Sequence, residues 1–136
     1  MNFFFDNNLS PHFARSFAAL CKHESDVERV AHLRDDFPGN TPDVEWLAAL
    51  SADGDKWAVI SGDKFKKDKR AEREAIRRAG HTVYVLDPQW SEKQYWEKAA
   101  RLTLWWPLIL AHSRLAIGGV HRVQWRHTAH ARFVTL

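Results

Sequence analysis

Trp57-Ala58-Val59-Ile60 is an uninterrupted apolar run, and Ser61-Gly62-Asp63 ends it. A short segment apolar on both faces fits a strand buried in a parallel sheet with helices above and below. The same grammar recurs on either side of it. Phe3-Phe4-Phe5 is another such run and stops at Asp6-Asn7-Asn8. Val27 to Leu33 is a weaker strand, and Thr82-Val83-Tyr84-Val85-Leu86, ending at Asp87-Pro88, is the clearest one. Helical segments fall between these runs. Ser10-Pro11 places a cap before a proline at the first helical position, and Phe13, Phe17 and Leu20 follow at helical spacing. Thr41-Pro42 repeats that signature ahead of Val44, Leu47, Ala48 and Leu50, while Arg34 to Asn40, with Pro38-Gly39, reads as loop. A very polar helix from about Lys69 to Ala79 closes at Gly80. Strands alternating with helices over short connections predict a three-layer α/β/α fold around a mainly parallel four-stranded sheet.

The second half changes character. Ser91 reads as the cap of a long helix whose stripe is Tyr95, Ala99, Leu102, Trp106 and Ile109, widened by Trp96, Trp105 and Leu108. Pro107 is expected to kink or end that helix. Gly118-Gly119 then precede a tail from His121 to Leu136, rich in Arg and His, that reads as two short extended pieces. The expected division is an α/β domain over residues 1–113, including the Trp-rich helix, and a basic tail over 114–136.

A chain of 136 residues suffices for one domain with its own core, and 45% hydrophobic against 27% charged residues argues against disorder. The single cysteine, Cys21, excludes an internal disulfide and a Cys-based zinc cage, and no His–acid set accompanies it for nucleophilic catalysis. The start, Met1 to Asp6, lacks the basic segment of a signal peptide. The apolar stretch Leu102 to Ala111 contains Pro107 and is half the ~20 residues a spanning helix needs. A cytoplasmic chain without a membrane partner is therefore expected.

Chemistry concentrates where the strands end. Asp6, Asp63 and Asp87 each follow a strand, and Asp43 sits in the first turn of the helix after Pro42. In open parallel sheets the carboxyl ends of strands are where loops converge on ligands. Carboxylates gathered there repel one another unless a cation holds them, and an all-oxygen set suits Mg2+ or Mn2+. Metal-assisted phosphodiester hydrolysis uses such a site directly. Each acid also has a plainer reading: Asp43 complements a helix dipole, and Asp6 or Asp63 caps a turn. Directly after Asp63 come Lys64, Lys66, Lys67, Lys69, Arg70, Arg73, Arg77 and Arg78 against Asp68, Glu72 and Glu74, a local excess of +5 where the whole chain carries +3. Such a segment steers a phosphate backbone toward the acids, whereas its helical part also reads as a solvated face with Glu74–Arg78 pairing.

Phe4-Phe5-Asp6-Asn7-Asn8-Leu9-Ser10, Thr41-Pro42-Asp43-Val44-Glu45-Trp46-Leu47 and Val59-Ile60-Ser61-Gly62-Asp63, in that order, resemble the PIN-like nucleases. The chain is similar to the compact subgroup that includes VapC-type toxins of toxin–antitoxin modules. The resemblance covers residues 1 to about 87, and more loosely the helix from Tyr95 to Pro107. It implies a Rossmann-like sheet and a Mg2+- or Mn2+-dependent endoribonuclease acting on RNA and silenced by a cognate antitoxin protein. Asp6, Asp43 and Asp63 match the catalytic, metal-holding acids; Ser61 matches the hydroxyl near the metal and Asn8 the amide after the first acid. Full-length members carry another acid between the first two, and here Glu24, Asp26, Glu28, Asp35 and Asp36 match no such motif. The implied site uses three carboxylates and one metal, or borrows Glu45, Glu74 or Asp87.

The remaining signals are weaker. His112, His121, His127 and His130 match no standard zinc spacing. Arg122, Trp125, Arg126 and Arg132 mix cations with an aromatic, as single-strand binders do, or belong to an ordinary edge hairpin. The Trp stripe reads first as core, and its width allows a homodimer or antitoxin interface. Two other functions compete with the nuclease. One is a catalytically degenerate PIN-like module that binds RNA or a protein partner. The other, an aspartyl-phosphate enzyme, needs paired acids after the first strand, where this chain has Asp6-Asn7-Asn8.

Overall fold

The computed structural model describes residues 1–62 and 70–136. Its strands are β1 (Asn2–Phe5), β2 (Arg29–His32), β3 (Trp57–Ser61), β4 (Thr82–Leu86), β5 (Gly119–Val123) and β6 (Val134–Thr135). The helices are α1 (Pro11–Leu20), a short α2 (Leu33–Asp36), α3 (Asp43–Ala52), α4 (Arg70–Ala79) and α5 (Tyr95–Leu115). They build one sheet in the order β2-β1-β3-β4-β5-β6, parallel throughout except for the last pair. Phe5 is in register with both His32 and Ile60, and Ser61 with Val85, so the strand ends align along one rim.

Period-two alternation sorts the strand side chains into two cores. Phe3, Phe5, Tyr84 and Leu86 pack with Phe13 and Phe17 of α1 and Leu102, Trp105, Trp106 and Ile109 of α5. Phe4, Val59, Val83 and Val85 pack on the opposite face with Trp46, Leu47 and Leu50 of α3 and Ile76 of α4. The expected α/β/α layering follows, with α1 and α5 on one side and α3 and α4 on the other.

Several local expectations are corrected. The sheet has six strands, not four. Residues 119–123 pair in parallel with β4, and the two-residue β6 closes antiparallel on β5, held by Leu136 N–H to Val120 carbonyl at 2.8 Å. Polar His121 and Arg122 interrupt β5, so its pairing is visible only once β4 offers an edge. The segment read as loop after β2 begins with α2, because His32 Nδ1 accepts the Arg34 N–H while Asp35 reaches back to the His32 N–H at 2.8 Å. Pro42, not Thr41, caps α3; the Thr41 hydroxyl bonds the Pro38 carbonyl instead. Ser91 lies in a 3-10 turn over Pro88–Glu92, and Gln94 with Glu97 caps α5. Pro107 neither ends nor breaks α5, which continues to Leu115. Pro107 and Thr103, whose carbonyl loses its partner, are both exposed, so the freed carbonyl lies on the solvent side of the helix and not in the core. Glu74 pairs with Arg77 at 2.9 Å rather than with Arg78.

Burial sets an acid limit on the fold. His81, whose Nε2 lies 2.9 Å from Ser51 Oγ, and His112 and His121, whose rings meet at 4.5 Å, are all held below the ordinary histidine range by desolvation. The unfolded chain binds protons on these groups first, so their contribution is present above pH 6.5 and lost as pH falls below it. Asp35, held below its usual 3.8 by the Arg15 guanidinium, acts only in a more acidic window. The melting temperature is expected to drop by several degrees between pH 7.5 and 5.5, and to drop less in His121→Phe. A flat profile over that range contradicts the assignment.

Candidate active site

The rim where β1, β2 and β3 end carries a fully buried carboxylate, Asp6. Its N–H continues the ladder to Ile60 carbonyl at 2.9 Å, and its own carbonyl accepts from Leu9 N–H, closing a turn into α1. A buried carboxylate is costly unless hydrogen-bonded. Here Asp6 Oδ1 accepts from Asn7 N–H at 2.5 Å, and Oδ2 accepts from Ser61 Oγ at 2.8 Å. Ser61 is itself buried at the end of β3. The acid and its hydroxyl partner are thus aimed by the register of adjacent strands.

The two corners of the turn reach opposite ways. Asn7 Nδ2 donates to Gly39 carbonyl at 2.8 Å and its Oδ1 accepts from Arg34 Nε at 2.6 Å, tying the turn to the loop before α3. Asn8 Oδ1 accepts from Gly62 N–H at 3.1 Å. A β-carbon at Gly62 would stand 2.7 Å from Asn8 Nδ2, so glycine permits this close approach. Gly62→Ala is expected to displace the Asn8 amide with a fall of only a degree or two in melting temperature, as a structure of the variant and side-by-side melts would show.

Asp43 opens α3, and its Oδ1 accepts from Trp46 Nε1 at 3.2 Å. Trp46 is fully buried and stacks on Phe4 of β1 at 5.0 Å, so the strand that carries Asp6 also anchors the helix that carries Asp43. Asp63, Lys64, Lys66, Lys67 and Lys69 lie outside the described residues, as does the side chain of Arg70. Among the described residues no three His, Cys, Asp or Glu side chains form a metal-sized cluster.

The candidate extra acids are placed differently. Glu45 is exposed in the first turn of α3, and Glu74 is paired with Arg77 on α4. Asp87 follows β4 on the rim, where its carboxylate accepts from Gln89 N–H at 2.9 Å and Trp125 N–H at 3.2 Å. Of the upstream acids, Glu24 and Asp26 pair with Arg114, Asp35 with Arg15 and Asp36 with Arg29, which are structural ties around β2 and α5. His32 and Arg34 are rim residues that sequence reading missed. The signal for both was present, since His32 ends a buried strand and Arg34 follows it closely.

A family model described as a PIN like domain matches residues 1–88. The chain belongs to the PIN-like domain family. No curated protein and no solved structure matches the chain. The matched PIN-like region runs from β1 through β4, so it contains Asp6, Asp43, Ser61 and Asp63, while α5, β5 and β6 lie beyond it. The PIN-like family generally includes nucleases, commonly dependent on divalent metal.

The donor chemistry of this PIN-like rim fits such a metal. Asp6 and Asp43 offer oxygen only. The nearest imidazole, His32, spends Nε2 on Leu9 carbonyl at 2.8 Å and Nδ1 on Arg34 N–H at 3.1 Å, so neither nitrogen is left to coordinate. Oxygen sets favour hard cations such as Mg2+ or Mn2+ over zinc.

Proposed function

We propose that this protein is a metal-dependent endoribonuclease that hydrolyses RNA phosphodiester bonds and serves as the toxin of a type II toxin–antitoxin pair. The buried Asp6 carboxylate, oriented by Ser61 at the end of parallel strands, is the observation that carries the reading. Asp6, Asp43 and Asp63 would hold Mg2+ or Mn2+, which supplies an activated water and neutralises charge on the leaving oxygen. Ser61 keeps Asp6 in one rotamer, and Trp46 does the same for Asp43. Arg34 at the rim and the basic segment Lys64, Lys66, Lys67, Lys69 and Arg70 draw the phosphate backbone in. A homodimer or antitoxin contact through α5 would use Trp96, Leu104 and Leu108, which are exposed, because Trp105 and Trp106 face the core. Among the described residues no helix is long and apolar enough to cross a membrane.

RNA cleavage by antitoxin-free protein, with and without EDTA, tests the reading, together with melting temperature across a Mn2+ titration. Cleavage abolished by EDTA and a melting temperature that rises with Mn2+ are expected. RNA binding with neither response identifies a degenerate binding module instead. Ser61→Ala, which removes a hydroxyl that only orients Asp6, is expected to lower metal affinity or activity by ~10–100-fold. An unchanged metal titration in that variant removes Ser61 from the site.

A further inference from the structure

A pocket of about 180 Å³ opens beside Asp6, lined by Asn8, Gly62, Asp87, Trp90, Ser91 and Lys98 among others. We propose that it is a nucleobase subsite, which takes one unstacked base of single-stranded RNA next to the scissile phosphate. The assignment deepens the endoribonuclease reading and rests on it for the word scissile.

Position is the first argument. Asn8 and Gly62 form one wall, joined at 3.1 Å, and Gly62 directly follows Ser61, whose hydroxyl holds Asp6. The pocket and the buried acid therefore share that wall. On the other side of the turn, Asn7 holds exposed Arg34 at 2.6 Å.

Polarity is the second. Asp87 supplies acceptors, and two backbone N–H groups fix its carboxylate. Lys98 supplies donors. Lys98 is half-buried and has no acid partner among the described residues. A carboxylate in the wall repels a phosphate group, and an ammonium disfavours a purely apolar ligand. A base edge, which offers donors and acceptors side by side, complements both. Size agrees, since drug-sized ligands occupy ~300–1,000 Å³ and this pocket holds a single ring system.

The wall is also pre-formed. Trp90 is buried, its Nε1 donates to Val123 carbonyl at 3.0 Å, and its ring meets Trp125 edge-on at 4.8 Å. Arg101 covers Trp125 at 4.4 Å. Trp90, Ser91 and Lys98 lie beyond the residues matched to the PIN-like family, so this chain's own C-terminal part completes the pocket. A base must leave a duplex to enter it, which makes single-stranded RNA the preferred class.

The test uses the full chain carrying Asp6→Asn, so that binding is read without cleavage. Fluorescence anisotropy measures affinity for a labelled single-stranded RNA octamer and for its abasic counterpart. Ser91→Trp, which fills the pocket, and Lys98→Met are each expected to weaken binding of the intact octamer about 10-fold. Neither is expected to change affinity for the abasic strand. Equal losses on both strands make Lys98 a phosphate contact and overturn the assignment; so do unchanged affinities in both variants, or no affinity for single-stranded RNA. Thermal melts check folding, and if Ser91→Trp misfolds, the Lys98→Met comparison decides alone. The parent chain assayed with and without EDTA tests hydrolysis separately. Base-dependent binding without cleavage refutes the nuclease reading and leaves the subsite standing, whereas cleavage without base dependence refutes only the subsite.

Discussion

Asp6→Asn is expected to abolish metal-dependent RNA cleavage and to erase the rise in melting temperature with Mn2+, while the protein still folds. The substitution keeps shape and hydrogen bonding. An asparagine oxygen still accepts the Asn7 N–H, and the Ser61 hydroxyl rotates to accept from the new amide, so neither buried group is left unsatisfied. The negative charge alone is removed, and with it an anionic oxygen that holds a hard cation. The activity loss is expected to exceed the ~10–100-fold typical of an outer partner such as Ser61. The melting temperature without metal is expected to change little, because the replacement keeps the shape of the buried group and its bonds to Asn7 and Ser61. Full activity in the variant, or an unchanged Mn2+ response, refutes the assignment of Asp6.

Trp106→Ala carries the largest expected cost in stability. The indole stacks on Phe17 at 4.2 Å, meets Phe3 at 4.9 Å and lies over Phe5 at 5.9 Å. Its Nε1 donates to Cys21 Sγ at 3.3 Å, in a site where burial pushes the thiol up out of its ordinary range. One side chain thus joins α5, α1 and β1. Truncating a buried tryptophan costs ~3–5 kcal/mol, against the ~5–15 kcal/mol that holds a domain together. A fall in melting temperature on the order of 10–20 °C follows. Trp106→Phe, which keeps a ring against Phe17 and loses the Cys21 bond, is expected to lose less than half as much. Denaturant midpoints for the two variants measure the difference. A shift of only a degree or two in the alanine variant contradicts the role given to the indole.

The two predictions draw on information of different kinds. Asp6 and Ser61 were legible in the sequence because each closes an apolar run, and a buried strand that stops on a polar residue marks the sheet rim. Asp43 was legible from the helix start signal around Pro42, although the capping group itself was misread. Trp106 was legible as core from the helical stripe, yet its contacts with Phe17, Phe3 and Cys21 join segments 85 or more residues apart along the chain. Ser91 was misread as a helix cap, because its hydroxyl bonds the Pro88 carbonyl and a 3-10 turn intervenes before Gln94. Of the two effects expected of Pro107, a kink or an end, the end does not occur, because the freed Thr103 carbonyl lies on the exposed side of α5.

The sequence by itself determined the α/β character, the parallel pairing of the first four strands and the acids that follow three of them, since these follow from local periodicity and from where each run stops, whereas the strand order came from the tertiary structure. It left β5 and β6 as an extended tail, because Gly119–Val123 lacks a clean alternation and becomes a strand only when β4 presents unpaired N–H and C=O groups. Tertiary structure alone brought Asn8 against Gly62, Trp46 against Phe4, and Asp87 and Lys98 into the lining of one pocket. Contacts of that kind depend on strand register and helix docking across the whole sheet, and no local pattern of residues encodes them.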